Sequence, residues 1–129
     1  GVAADLPDNW QKDVKEILKI IPEKLKDYDE MLLDNPIWQG RLQNVGIITP
    51  EECLAYGITG PSLRASGQGW DLRKMQPYSG IEKFDFDVPV LQESDVFARW
   101  RIKVLEILES LKIVEQAIVV NTIFAINQR

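Results

Sequence analysis

The strongest structural signal in this chain of 129 residues is SDVFARWRIKVLEILESLKIVEQAIVV, residues 94–120. Ser94 or Asp95 is suited to cap a helix that begins there. Apolar residues then recur at alternating steps of three and four, which is typical of an amphipathic α-helix. They are Phe97, Trp100, Val104, Ile107, Leu111, Val114 and Ile118. Charged residues such as Glu106 interleave with this stripe and are expected to face solvent. We therefore predict a long helix over residues 95–120.

A second periodic segment, residues 8–34, predicts another long helix. Its apolar stripe consists of Val14, Leu18, Ile21, Leu25, Tyr28 and Leu32. Asn35-Pro36 is expected to end the helix, because the residue before a proline is steered out of the α region. Pro22 lies inside the pattern and predicts a kink or a break, since it removes one backbone hydrogen bond. Two helices of roughly 36–40 Å, at about 1.5 Å per residue, favour a long antiparallel pair.

Residues 41–90, between the two helices, are rich in glycine and proline and predict a largely irregular region. Thr49-Pro50-Glu51-Glu52 is a capping box with proline at the first helical position, so a short third helix is expected there. Val45–Ile48 and Phe84–Val90 are predicted to be short strands, the second with apolar residues alternating with Asp85 and Asp87, and the two are expected to pair weakly. The predicted fold is mainly α: two long antiparallel helices with a short third helix and a small β-hairpin or irregular loop region between them, forming a single domain over residues 1–129.

The composition excludes several classes of function. The net charge is −5 and the chain has no histidine, so a nucleic-acid partner is not expected and the commonest general base and metal ligand are absent. Cys53 is the single cysteine, and alone it supports neither an internal disulfide nor a metal cluster. No apolar run reaches the length of a membrane span, so none is expected.

One cluster in the irregular region is the main candidate for a site. Arg64, Arg73 and Lys74 surround Asp71, and arginines in a glycine-containing loop are suited to fixing carboxylates or backbone carbonyls. A network that only staples the loop explains the cluster equally well. Elsewhere, the Asp85 and Asp87 pair is more simply a solvated strand face, and Cys53 a small buried hydrophobic residue. No catalytic set, cofactor site or metal site assembles from these residues.

Several strings in the chain carry a resemblance to a known family. They are Val45–Glu52, Tyr56–Pro61, Leu63–Gly67, Trp70–Lys74, Pro77-Tyr78 and Phe84–Val90. Together with matching segments at both ends, they cover about 115 residues and resemble the D-type subunit of NADH:quinone oxidoreductase, respiratory complex I, in the hydrogenase-like large subunit family. Tyr78 thereby joins Arg64, Asp71, Arg73 and Lys74 as a candidate for stapling the loop or for contacting another subunit.

The resemblance implies that the chain is the central helical piece of the quinone-site subunit. In the full enzyme this subunit lies in the peripheral arm, on the cytoplasmic side of the inner membrane, and helps to wall the quinone chamber beside the terminal iron–sulfur cluster. Quinone, NADH and iron–sulfur clusters would belong to other segments or subunits, because the family's quinone-binding histidine and tyrosine lie in an N-terminal segment outside these strings. The implied partners are other subunits of the complex, and the isolated chain is expected to form a homodimer that buries its apolar helix faces.

Three departures from the family and two alternative parents are noted. Leu91–Ser94 stands where the family commonly has a glycine-bearing turn, and Ile81 takes a position that is often aromatic. The apolar tail, residues 119–126, could extend the helix, form a strand or expose an apolar patch. The parent could instead be a membrane-associated nickel–iron hydrogenase, whose Cys-x-x-Cys pairs would lie outside this chain. The third possibility is a stand-alone interaction module.

Overall fold

The computed structural model describes residues 3, 4 and 6–127, with side chains as far as residue 120. Its elements are helices: α1 (Trp10–Leu32), α2 (Pro36–Leu42), α3 (Pro50–Ala55), α4 (Gly60–Arg64), α5 (Leu72–Met75), a 3₁₀ turn (Ile81–Lys83) and α6 (Val96–Asn127). The mainly α prediction is confirmed. The tail continues α6 as helix, past the predicted end of the 95–120 segment.

The two long helices pack as an antiparallel pair. Asp29, near the end of α1, accepts hydrogen bonds of 2.8 Å from Arg101, near the start of α6, whereas Leu18, in the first half of α1, lines a groove with Val119. The predicted break at Pro22 is absent, since α1 is one continuous helix. Pro22 removes a single backbone donor, and contacts with α6 on both sides of it hold the helix together.

Asp95 fixes the start of α6. One carboxylate oxygen accepts a hydrogen bond of 2.8 Å from the backbone N–H of Ala98, and the other accepts one of 2.8 Å from the backbone N–H of Asn44. Ser94, directly before it, has a left-handed φ of 63°, a conformation that glycine adopts most easily. In the turn at Leu91–Ser94, Ser94 therefore adopts the left-handed backbone conformation that a glycine would adopt there.

The centre of the core lies where α4 meets α6. Ala65, Ala98 and Ile102 are almost completely buried, and Leu91 packs against them. The two alanines let the backbones approach closely, and Ile102 fills the remaining space. This face of α6 differs from the predicted stripe, of which Ile107 and Val114 are 39% exposed. Helix α6 is thus buried on two faces, one against α1 and the other against the loop region.

The predicted β-hairpin is wrong: residues 3, 4 and 6–127 contain no strand. Val45–Ile48 is bent at Gly46, whose φ is 57°, and it pairs with the turn before α6, where the Val96 N–H donates to Val45 O (3.0 Å) and the Ile48 N–H to Ser94 O (3.1 Å). Phe84–Val90 is extended, and it lies along α6 instead of beside a strand. Side chains of α6 bind the backbone of Asp85 and Asp87, so these groups need no strand partner.

The short helices follow the predicted capping signals where such signals exist. Thr49 and Glu52 form the complete capping box of α3. Asn35 ends α1 as expected and also caps α2, because its side chain accepts from the backbone N–H groups of Ile37 and Trp38. Trp38 then packs edge-on against Trp100 of α6, with ring centroids 5.9 Å apart. Helices α2, α4 and α5 were not predicted, since each is too short to show a periodic pattern.

Candidate functional site

Arg64, at the end of α4, is the centre of the predicted cluster. Its side chain is only 7% exposed, so each of its donors needs a partner. Nε and Nη2 bind the Glu106 carboxylate of α6, and Nη1 donates to the backbone oxygen of Trp70 at 3.0 Å. The Asp71 carboxylate lies 3.6 Å from Nη1. Arg64 thereby ties the glycine-containing loop to the long helix.

Asp71 and Arg73 form the second half of the network. Asp71 is 5% exposed, and its Oδ1 caps α5 by accepting the backbone N–H of Arg73 at 2.9 Å. The Arg73 guanidinium binds the same carboxylate through Nε at 3.0 Å and Nη2 at 2.6 Å. This hydrogen bonding lowers the pKa of Asp71 and, reciprocally, raises the pKa of Arg73, since it favours the charged form of both groups.

Phe86 connects this network to the extended segment Phe84–Val90. The Arg73 guanidinium carbon lies 5.0 Å and the Lys74 Nζ 4.0 Å from the centroid of its ring, within the range of cation–π attraction. Phe86 is 3% exposed, so the two cations form part of the wall that buries it. Among the residues that the structure describes, Lys74 therefore joins the cluster through an aromatic ring and forms no ion pair with a carboxylate.

An open cleft of about 530 Å³ lies beside the network. Tyr78 is half exposed and lines this cleft. Arg64, Arg73, Asp71 and Glu106 also line it, but their charges bind one another, and two cations balance two anions. The Asp71 carboxylate, which is paired and has a lowered pKa, is a poor general base. The arrangement is therefore better suited to holding a loop in place than to acid–base catalysis.

The structure brings the five predicted residues together, and it adds two that sequence analysis missed. Arg64, Asp71, Arg73 and Tyr78 line the cleft, and Lys74 lies beside them on Phe86. The missed residues are Glu106 and Phe86. Glu106 was expected to face solvent, and that expectation is wrong because α6 is buried on this face as well. Its sequence pattern, a lone acid between apolar residues, does not distinguish a buried partner from a solvated one.

Replacing Arg73 with alanine is expected to lower the free energy of unfolding by about 1–3 kcal/mol, because Asp71 loses its closest charged partner while remaining buried. Urea titration measures the change. Lys74→Ala is the matched control: it removes a neighbouring cation that also contacts Phe86 but binds no carboxylate, so about 0.5 kcal/mol or less is expected. Equal losses in the two variants would show that the Arg73–Asp71 pair contributes nothing.

Acid is expected to weaken the fold partly through Asp71. Its pKa is lowered from 3.8 by the hydrogen bonds from Arg73, so its contribution is fully present above about pH 4 and is lost as the pH falls through the folded-state value. The difference in unfolding free energy between the wild type and Asp71→Asn should therefore shrink steadily below about pH 4. Denaturant titrations at several pH values measure it, and a constant difference would contradict the assignment.

Comparison with known proteins identifies the family. A sequence profile described as respiratory-chain NADH dehydrogenase, 49 kDa subunit, matches residues 1–123. The chain belongs to this family. An NADH-quinone oxidoreductase subunit of Salinispora arenicola is 49% identical over 118 residues, and one of the NADH-quinone oxidoreductase subunits of Solibacter usitatus is 41% identical over 118 residues.

These 49 kDa-type relatives are much longer than the chain. The match covers 92% of the chain but 27% of the Salinispora protein and 32% of the Solibacter protein. Among solved structures, the membrane-bound sulfane sulfur reductase, an archaeal respiratory membrane complex, contains a chain that is 38% identical. It superimposes with a TM-score of 0.85 over 93% of this chain and 32% of its own length. The fold described above therefore corresponds to about a third or less of the length of these relatives.

Proposed function

We propose that this chain is a non-catalytic structural section of the quinone-site subunit of an NADH:quinone oxidoreductase. The observation that carries the proposal is its 49% identity, over 92% of its length, to a protein named as a subunit of such an enzyme. In the assembled complex, electrons would pass from NADH through iron–sulfur clusters to a quinone, and this transfer would be coupled to proton translocation. Those cofactors would be held by other segments or subunits.

The geometry supports a scaffold role for the section. Arg64 binds Glu106 on α6 and the carbonyl of Trp70 in the loop, while Asp95, directly before α6, binds the backbone of Asn44. Side chains at the start of α6 and within it thus hold the irregular segment, residues 41–90, near its beginning and near its middle. In a quinone-site subunit, such a section would hold the neighbouring parts of the quinone chamber in position without taking part in electron transfer.

The same family relationship supports proposals for the partners and the location. Other subunits of the respiratory complex are the proposed partners, and a peripheral position on the cytoplasmic side of the membrane is the proposed location. Within the residues that the structure describes, no helix combines the length and apolar character needed to cross a bilayer. The homodimer expected of the isolated chain stays a prediction, and light scattering that shows only monomer at micromolar concentration would contradict it.

A grafting experiment tests the function. The matching section of the Salinispora oxidoreductase subunit is replaced by this chain in a strain that lacks the native gene, and NADH:quinone reductase activity is measured in membranes. The graft is expected to restore activity, and the same graft carrying Ile102→Ala, which damages its core, is expected to restore less. An intact graft that assembles into the complex but leaves it inactive would overturn the proposal.

The sulfane sulfur reductase gives a second candidate parent, because its matching chain is 38% identical with a TM-score of 0.85. The higher identity to the quinone enzymes favours the first. Grafting the chain into the sulfane sulfur reductase distinguishes the two, and activity in that complex alone would reassign the parent. Coding sequence on both sides of the chain tests the less favoured nickel–iron hydrogenase, since paired Cys-x-x-Cys motifs would indicate it.

A further inference from the structure

We draw no further inference here: the strongest candidate, the cleft beside the Arg64 network that Thr59, Trp70 and Tyr78 help to line, belongs to the candidate site already described, and nothing in the structure shows what covers its open side.

Discussion

Replacing Ile102 with alanine is expected to lower the free energy of unfolding by about 3–5 kcal/mol. Ile102 has no exposed surface and fills the space between Ala65 and Ala98, so the shorter side chain leaves a cavity. The side chains of the neighbouring alanines are too short to fill this cavity. Because small domains are stable by only about 5–15 kcal/mol, this change removes a large part of the total. Urea titration followed by tryptophan fluorescence measures it.

Ile107 on the same helix provides the control. It is 39% exposed, and Ile107→Ala should cost about 1 kcal/mol or less, since less apolar surface is withdrawn from water there. If Ile102→Ala unfolds the chain completely, Ile102→Val tests the same position, and it is expected to lower the free energy of unfolding by about 0.5–1.5 kcal/mol. Equal costs at positions 102 and 107 would mean that the core does not lie where α4 meets α6.

Replacing Arg64 with methionine is expected to cost about 3–5 kcal/mol, because it leaves the Glu106 carboxylate without its cation in a largely buried position. Asp71 is less affected, since Arg73 still binds it. Methionine retains much of the volume of the arginine, so the loss reports charge and hydrogen bonding more than packing. Urea titration at neutral pH measures the change.

Glu106→Gln tests whether the loss belongs to the Arg64–Glu106 pair. In the double variant, Arg64→Met with Glu106→Gln, no buried charge is stranded, and the combined loss should be smaller than the sum of the two single losses by at least about 1 kcal/mol. Additive losses would show that the two side chains do not stabilise each other. The network would then line the cleft without contributing to the stability of the fold.

The helical part of the fold could be predicted from the sequence because it depends on local patterns. The 8–34 and 95–120 segments have apolar periodicity over many turns, and the capping box at Thr49 determines the start of α3 without help from the rest of the chain. These signals act between residues a few positions apart, where sequence analysis is strongest. The end of α6 was harder to predict, because β-branched residues after Val119 are compatible with either helix or strand.

The predicted hairpin failed for a specific physical reason. Phe86 is buried while Asp85 and Asp87 are exposed, which is the alternation expected of a strand with one face covered. Here the covering element is a helix. The Asp85 N–H donates to Gln116 and the Asp87 N–H to Glu109, each at 2.8 Å. Any extended segment with one buried face has a period of two, so the pattern does not reveal what lies beside it.

Only the part of the candidate site formed by residues close together in the sequence could be predicted. Arg64, Asp71 and Arg73 lie within ten positions of one another, and their grouping in a glycine-containing loop indicated a network. Glu106 lies 42 positions beyond Arg64, and nothing local distinguishes it from the solvated acids of the same helix. Long-range partners of this kind follow from the packing of α4 on α6, which no periodicity predicts.

The absence of any fully buried residue in α1 has a dynamic consequence. The region around Ile102 can open only when most of the core comes apart, whereas α1 is attached by half-buried side chains and by the Asp29–Arg101 ion pair. Amide hydrogens of α1 should therefore exchange with solvent through partial openings of lower free energy than global unfolding. We therefore expect slow exchange in α4, the turn at Ser94 and the first turns of α6, and faster exchange in α1, which can detach more readily.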